Sequence, residues 1–473
     1  MYNIVKDLLI LQFVFQSNFL IFANSKNPVT KYPKSNLLKS ELNVDTKKKG
    51  WGNQLIASHT KKLTPNIDKL GFLSILLPWL YFMSTSLQIP SLPKYINYVV
   101  NNGNINVSPE SARVYGNLQG IDSLFTFLSV NAIGLLSDKY GRKPFMIYSS
   151  LGLGLAFSLI LNVKTPTIFY IAAMIDGCTS CMLSQAQAYI TDCTEKNKIS
   201  VELGKFQGFA VGMAFFFGVP LGGILSSKVS LKAPLLAAIS LCIINVFLIK
   251  LFLPESLDTG KVKNNKIEWM NANPLGAIKM FCRNFKFAIA GVVYFLLQLA
   301  QSGLQGTWIN YLQHRFGWSG AVSGMTLMIV GLVVAVLPSY VVPAFGVRNS
   351  ILYGLILYSF SMAGLGASNH PFCILFLMPL LSAGASALPI LLGYLSSQVD
   401  SNEIGALQGA ADTLRTMAGI VGYPLMSAVF AYSIKGDINV PGGALYLGAA
   451  FSALAAVLFY FTQYKSDNEH TKK

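Results

Sequence analysis

The chain has 473 residues, of which 53% are hydrophobic and only 12% charged, with a mean hydropathy of +0.50. Soluble domains carry about 25% charged residues because their surfaces meet water, so the composition excludes a soluble enzyme, a disordered chain and a disulfide scaffold, and leaves a polytopic membrane protein. The 36 Lys and Arg against 20 Asp and Glu, a net charge of +16, gather in tails and short loops between apolar runs, where membrane topology accounts for them better than nucleic acid does.

Residues 1–24 hold one lysine, Lys6, then an apolar run ending at Ala23-Asn24-Ser25. This is the pattern of a secretory signal peptide; a thirteenth span is the other reading. Residues 25–70 form a basic, acid-poor polar segment with ten lysines and three acids, Glu41, Asp45 and Asp68. That is transit-peptide character, similar to the bipartite leaders of complex plastids, with a flexible cytosolic tail as the alternative.

A helix needs about 20 apolar residues to cross ~30 Å of hydrocarbon. Twelve such segments are predicted after residue 70, near 71–92, 116–137, 144–162, 166–190, 204–226 and 232–253 and then 286–312, 319–343, 350–368, 372–397, 404–433 and 442–463. The expected organisation is therefore a six-helix half over 71–253, a charged connector over 254–285, a second six-helix half over 286–463 and a polar tail over 464–473. Alternating the loops from the 26–70 segment puts 27 Lys and Arg on one side and seven on the other. The basic face is thus cytoplasmic or stromal, with both ends of the bundle on it. Asn106-Val-Ser108 is a glycosylation acceptor pattern on the opposite face, weakened by Pro109.

Between the second and third spans lies Gly134-Leu-Leu-Ser-Asp138-Lys139-Tyr-Gly141-Arg142-Lys143-Pro144. Its glycines suit a tight turn. Asp138 is expected to accept from the N-terminus of a neighbouring helix, and the cationic residues to bind lipid phosphate or helix C-terminal carbonyls. Such a cluster can latch one state of the bundle.

An ionisable group at mid-bilayer costs about 2.5–3.5 kcal/mol on insertion scales, so its presence is a functional hypothesis. Asp176, about ten residues and ~15 Å into span four, is the leading candidate for a protonatable or cation-binding group. Asp122 in span two either joins it or reaches the interface. Asp412 and Arg415, three apart in span eleven, can pair, either as an internal staple or as coupling groups. Gln298, Gln301, Gln305 and Trp308 follow helical steps along span seven and suggest a cavity wall. Gln88 of span one, with Trp79, Ser84 and Thr85, and Ser184 of span four, with Ser180 and Gln187, add to it. Interhelical hydrogen bonding is the competing explanation. The six cysteines, Cys178, Cys181, Cys193, Cys242, Cys282 and Cys373, lie in or beside apolar segments and form no disulfide framework; Cys178 and Cys181 read as packing residues. No phosphate-binding loop, catalytic motif or histidine cluster occurs, so no enzyme activity, cofactor or metal is expected.

The loop between spans two and three resembles the signature of the major facilitator superfamily, matching it at every defined position. Ala188-Tyr-Ile-Thr-Asp192, Gly212 through Gly218-Val-Pro220-Leu-Gly222-Gly223, Leu253-Pro-Glu-Ser256, Arg315-Phe-Gly-Trp318 and Gly405-Ala-Leu-Gln-Gly409 are similar to its tetracycline-resistance-like, drug:proton antiporter branch. The resemblance covers about residues 70–465. It implies an all-α membrane protein, twelve transmembrane helices in two six-helix halves (the major facilitator fold), and a central cavity lined by spans one, four, seven and ten. Two positions depart from the branch. Its span-four arginine is Ala173 here, and Pro220 stands one place late, with Val219 where proline belongs. That arginine is associated with proton coupling, so its absence bears on drug:proton antiport.

The expected function is a secondary active or facilitative transporter moving a small polar or amphipathic solute by alternating access, with membrane lipids around it and no nucleic-acid partner. Proton-coupled efflux and facilitated exchange of a metabolite both fit, and the missing arginine favours the second. A transporter-like receptor or scaffold is the reading from another class. Plastid-type, plasma and endomembranes are the candidate locations. Substrate, stoichiometry and oligomeric state are not legible.

Overall fold

The computed structural model describes residues 67–194, 199–257, 278–399, 403–435 and 440–471. The signal-peptide-like segment, almost all of the basic leader and most of the 254–285 connector lie outside them. Every element among the described residues is a helix, and the bundle from Gly71 onward is one compact unit.

Span one is Ile67–Gln88, followed by a short helix, Leu92–Val100, on the face opposite the basic loops. Spans two and three are Pro109–Tyr140 and Lys143–Leu161, span four is Thr167–Cys193, span five Glu202–Lys228 and span six Ala233–Phe252. The second half runs through Phe285–Phe316, Gly320–Val336, Val347–Ala367, Pro371–Ser396, Ile404–Ser433 and Gly443–Thr471. Ten of the described helices are long and apolar enough to cross a membrane. The two others are spans one and eight. Span one carries Pro78 and ends in the polar run Ser84 to Gln88, while span eight stops at Val336 and resumes as Pro338–Phe345.

Several boundaries differ from the sequence-based ones because caps set them. Span two begins seven residues early, where Ser108 accepts from Ser111 N and Ser111 returns the bond, with Pro109 in the first turn. That cap also engages the hydroxyl of the glycosylation pattern: Ser108 Oγ donates to Asn101 Oδ1. Span seven starts at the Asn284 cap and ends four residues late, where Gly317 takes the left-handed conformation at φ +66°. Three expected continuous spans are interrupted. Span four breaks at Ser180 and Cys181, span ten at Ser386, and span five contains a π-helical turn at Gln207–Gly212.

Two hydrophobic cores fill the bundle. One is built from Leu77 through Leu253 and the other from Phe281 through Phe459 together with Ala112. Hydroxyl and amide groups tie spans within them. Ser86 Oγ reaches Ala214 O at 2.8 Å, Asn245 Nδ2 reaches Ser150 Oγ at 3.1 Å, and Ser452 Oγ reaches Leu355 O at 2.9 Å.

The groups of spans meet on the face opposite the basic loops. There Gly116 and Gly120 of span two lie against Tyr423, Pro424 and Ser427 of span eleven, and Gly223 of span five lies against the backbone of Gly320 and Ala321 in span eight. Asn97 Nδ2 reaches Asn310 Oδ1 at 3.5 Å, and Gln313 Nε2 reaches Ile105 O at 2.6 Å. Toward the basic face the same spans separate. From Ile121 to Tyr140 only Ile133 and Ser137 of span two are buried, and Gly134, Gly204, Gly208, Gly393 and Gly409 have open space where a Cβ would stand. The bundle is closed on one face and open on the basic one.

The span-five glycines account for much of the closure. Gly218 faces Ser86 and Met83 of span one, and Gly222 faces the Leu87 backbone. Pro220 sits inside the helix beside them, where its missing N–H leaves one helical carbonyl free. A side chain at Gly222 must push two backbones apart, an overpacking cost of about 1–3 kcal/mol. Gly222→Val is therefore expected to lower the thermal unfolding midpoint in detergent by several degrees, and Gly134→Ala to leave it unchanged; scanning fluorimetry checks both.

Candidate functional site

A helix interrupted inside a bilayer frees carbonyls that only the protein can satisfy. In span four they are met by side chains. Ser129 Oγ from span two donates to Gly177 O at 3.0 Å, Tyr148 OH from span three donates to Cys178 O at 3.4 Å, and Thr179 Oγ1 donates to Asp176 O at 3.1 Å. In span ten Ser386 Oγ donates back to Ala383 O at 2.5 Å. Spans four and ten hold the same place in the two halves, and paired interruptions of this kind point to where a carrier binds. The cues were the small-residue runs Gly177-Cys-Thr-Ser180 and Ser382-Ala-Gly-Ala-Ser386; within the first, the sequence suggests packing for Cys178 and a cavity wall for Ser180.

Asp176 lies one turn before the span-four break. It and Asp122 line one small cavity with Gln88, Gln119 and the apolar groups Leu92, Leu118, Ala156, Phe157, Ile160, Ala172 and Ala173. At about 30 Å³ this cavity has room for one or two waters, not an organic solute. Asp122 Oδ1 and Gln88 Oε1 are buried without a hydrogen-bond partner. Asp122 does not reach the interface; it interacts electrostatically with Asp176 and with Arg415 across the bundle. Gly177 lets this happen, since the Asp122 backbone passes where a side chain at Gly177 would stand. Ala173, the position of the branch's arginine, opens onto the same cavity.

Arg415 and Asp412 pair at 3.3 Å, with 49% and 53% of their side chains exposed. They belong to one helix, so they staple nothing together; they line the space between the halves. Around Arg415 stand Tyr294 and Tyr423. Tyr294 OH accepts from Gln298 at 3.1 Å, and Tyr423 OH donates to Gln305 at 2.7 Å.

The span-seven stripe divides. Gln305 is exposed and Gln301 half-buried, but Gln298 is buried and Trp308 is sealed in the core, its indole N–H donating to Thr326 Oγ1 at 2.8 Å. Steps of three and four drift around a helix over ten residues, so the Trp308 end faces span eight. Gln88 belongs to the carboxylate cavity, and Ser184 Oγ donates to Cys181 O at 3.0 Å, which helps close the span-four break.

On the basic face the loop between spans two and three forms a cluster that also differs from expectation. Gly141 makes the turn at φ +101°, whereas Gly134 lies inside the span-two helix. Asp138 is exposed and paired with Arg142 at 2.6 Å; it accepts from no helix N-terminus. Glu255 does that instead. Its carboxylate accepts Arg142 N at 2.8 Å and Lys143 N at 3.2 Å, the first turn of span three, and Ser256 N at 3.0 Å. Arg142 also reaches Asp192 at 3.0 Å and Ser137 Oγ at 2.7 Å. Lys143 Nζ donates to Lys250 O at 3.0 Å, among the last carbonyls of span six, and Lys139 stands over the Tyr140 ring. Tyr189 OH donates to Pro254 O at 3.0 Å. The sequence quotes Glu255 only within the Leu253–Ser256 run, and its capping role is not legible there because it lies over a hundred residues from the turn it caps. Among the described residues no group of three or more metal-ligating side chains occurs.

The Major Facilitator Superfamily model matches residues 75–423. The chain is 28% identical over 369 residues to the class C tetracycline resistance protein of Escherichia coli, covering 76% of this chain and 90% of that one. It is 28% identical over 405 residues to the class H protein of Pasteurella multocida, covering 85% and 98%. Among solved structures, the human organic anion transporter MFSD10 (TETRAN) superposes with a TM-score of 0.63 at 19% identity, covering 84% of this chain and all of that one.

The cluster makes a graded prediction. Removing a cap costs about 1 kcal/mol, and more when backbone donors are left buried, whereas an exposed ion pair contributes under about 1 kcal/mol. Glu255→Ala is expected to lower the unfolding midpoint in detergent clearly more than Asp138→Ala; equal effects would contradict the assignment of Glu255 as the cap.

Proposed function

The chain belongs to the Major Facilitator Superfamily, and from that premise we propose that it is a secondary transporter carrying a small polar or amphipathic solute, coupled to protons through Asp122 and Asp176. The observation that carries this is the arrangement of a bundle open to the basic face and closed on the other, with ionisable side chains at its middle. Ionised carboxylates in an apolar cavity are costly, so a group that gains a proton on one side of a cycle and loses it on the other couples the two.

The solute would enter from the basic face and meet Arg415, Asp412, Gln305 and Tyr423. These groups can take an anionic and a cationic substituent together, and the tyrosines offer flat apolar surface. The kinship with tetracycline resistance proteins supports drug-like amphipathic solutes and efflux from the basic side. Glu255, Arg142 and Asp192 would hold spans two, three, four and six as one body while the halves rock. Facilitated exchange is the second reading, favoured by Ala173 in place of the branch's arginine. A pure scaffold is disfavoured because nothing in that role maintains two carboxylates in an apolar cavity. The apolar 1–24 segment and the basic segment after it support a plastid-type organelle as the destination.

Proteoliposomes with an imposed pH gradient test the coupling, with tetracycline and a panel of organic anions as probe solutes. Asp176→Asn is expected to abolish pH-driven flux while leaving solute counterflow, and unchanged pH dependence in that variant would move the coupling elsewhere. Arg415→Ala is expected to weaken apparent solute affinity about 10- to 100-fold, the loss of one charge-assisted contact. Mass spectrometry of the native N-terminus is expected to find a start between residues 45 and 70; an intact Met1, or a start only near Ser25, overturns the plastid destination.

A further inference from the structure

We propose that the solute is an organic monocarboxylate, that its carboxylate is seated on the terminal nitrogens of Arg415, and that it binds together with a proton on Asp122. This deepens the transporter reading, on which it rests, by naming the charge of the solute and the sign of its pH dependence.

The observation behind it is a guanidinium that is only partly used. Arg415 lies eleven residues past Ile404, the start of span eleven, or ~16 Å along the helix axis, a depth at which an unpaired cation facing lipid is costly. Its side chain is half-exposed, and its neighbours show that it faces the space between the halves. Asp122 of span two and Tyr294 of span seven act on it, and Gly419, one turn further along, packs against Ser123 of span two. The nearest approach to Asp412 runs through Nε, at 3.3 Å. Among the described residues Nη1 and Nη2 make no hydrogen bond. The other arginines use theirs: Arg142 Nη1 donates to Ser137, Arg283 Nη1 and Nη2 to the two oxygens of Glu403, and Arg315 Nη2 to Asn369. A free guanidinium end matches a carboxylate, whose two oxygens accept two parallel N–H bonds. Gln305 adds a donor beside it. Its Oε1 accepts from Tyr423 OH at 2.7 Å, which leaves Nε2 to donate to a solute.

Charge decides what binds with the solute. Asp412 already neutralises Arg415, so a bound carboxylate leaves one negative charge in excess. Asp122 faces Arg415 from span two, with Asp176 beyond it, and an ionised Asp122 repels the incoming anion. A proton on Asp122 removes that repulsion. The other groups here are Tyr294 and Tyr423 around Arg415, Tyr423 also against Asp122, and Tyr81 and Cys242 against Asp176. As neutral hydroxyls and a thiol they bring no compensating charge. By linkage the anion favours the proton on Asp122 and the proton favours the anion, by the same factor. A phosphate monoester carries nearly two charges at neutral pH and asks for more positive charge than Arg415 supplies. A zwitterion would set its ammonium group on Asp412 and would need no proton.

The test uses the purified full-length protein in detergent from pH 5.5 to pH 9, with titration calorimetry and thermal midpoints. Benzoate, phenylacetate and nicotinate, all ionised over this range, are compared with their carboxamides. The carboxylates are expected to bind and raise the midpoint, and the carboxamides not to. Carboxylate affinity should weaken as pH rises, by up to about tenfold per pH unit where Asp122 loses its proton. Arg415→Gln should abolish binding, and Arg415→Lys, which keeps the charge without the paired donors, should weaken it about tenfold. Asp122→Asn should flatten the pH dependence. The proposal is overturned if no carboxylate binds the unsubstituted protein, or if the carboxamides bind as tightly. It is also overturned if the pH dependence runs the other way or survives in Asp122→Asn, or if phenylalanine or phenyl phosphate binds more tightly than phenylacetate. Flux is scored separately in proteoliposomes. A pH-driven flux of tetracycline without carboxylate binding overturns this proposal alone, and carboxylate binding without pH-driven flux of any solute overturns proton-coupled transport alone.

Discussion

Hydrocarbon offers no hydrogen bond to a freed carbonyl, and that constraint organises this bundle. Span four is interrupted at mid-membrane, and the interruption persists because hydroxyls of Ser129, Tyr148 and Thr179 come from two neighbouring spans and from span four itself to occupy the oxygens of Gly177, Cys178 and Asp176. Those contacts hold spans two, three and four together at the depth where Asp122 and Asp176 meet. The carboxylate cavity is thus a consequence of how the broken helix is repaired. Gly177 belongs to the same arrangement, since the backbone of Asp122 occupies the place of its missing side chain.

Closure on one face and opening on the other follow from where small residues lie. Gly116, Gly120, Gly218, Gly222 and Gly223 bring backbones together on the closed face, where dispersion and interhelical hydrogen bonds drive association in lipid. Gly134, Gly204, Gly208, Gly393 and Gly409, nearer the basic face, meet nothing. In another state of the cycle their neighbours can approach without steric cost, so the same residue type serves a formed contact at one end and a contact still to form at the other. The half-exposed pair Arg415 and Asp412 lies between these two regions, which is where a solute would have to wait.

The basic-face cluster is built differently from the way its residue types suggest. Arg142 is its centre, with Asp138, Asp192 and Ser137 around it. The carboxylate over the helix start is Glu255, from the segment after span six. This joins the turn between spans two and three to the segment after span six, so that this turn, the end of span four and the exit of span six move together. Asp138 is exposed and, among the described residues, paired with Arg142, which leaves it able to change partner.

What the sequence determined by itself is what depends on local composition and short spacing. Apolar runs of bilayer length, the basic-residue bias between loops, the turn at Gly141 and the rarity of charge inside spans led to an all-helical membrane bundle and to Asp176, Asp122, Asp412 and Arg415 as residues of interest. The superfamily was legible for the same reason, since its loop signature is contiguous. Tertiary structure alone decided which of these groups share a cavity, because Gln88, Gln119, Asp122 and Asp176 come from three helices whose rotations no single helix records. It also sent Trp308 into the core while Gln305 stayed exposed, a difference set by span eight through Thr326. It replaced Asp138 by Glu255 as the cap of span three, across more than a hundred residues of chain. Periodicity places a side chain on a face of its own helix, and only packing between helices decides what that face meets.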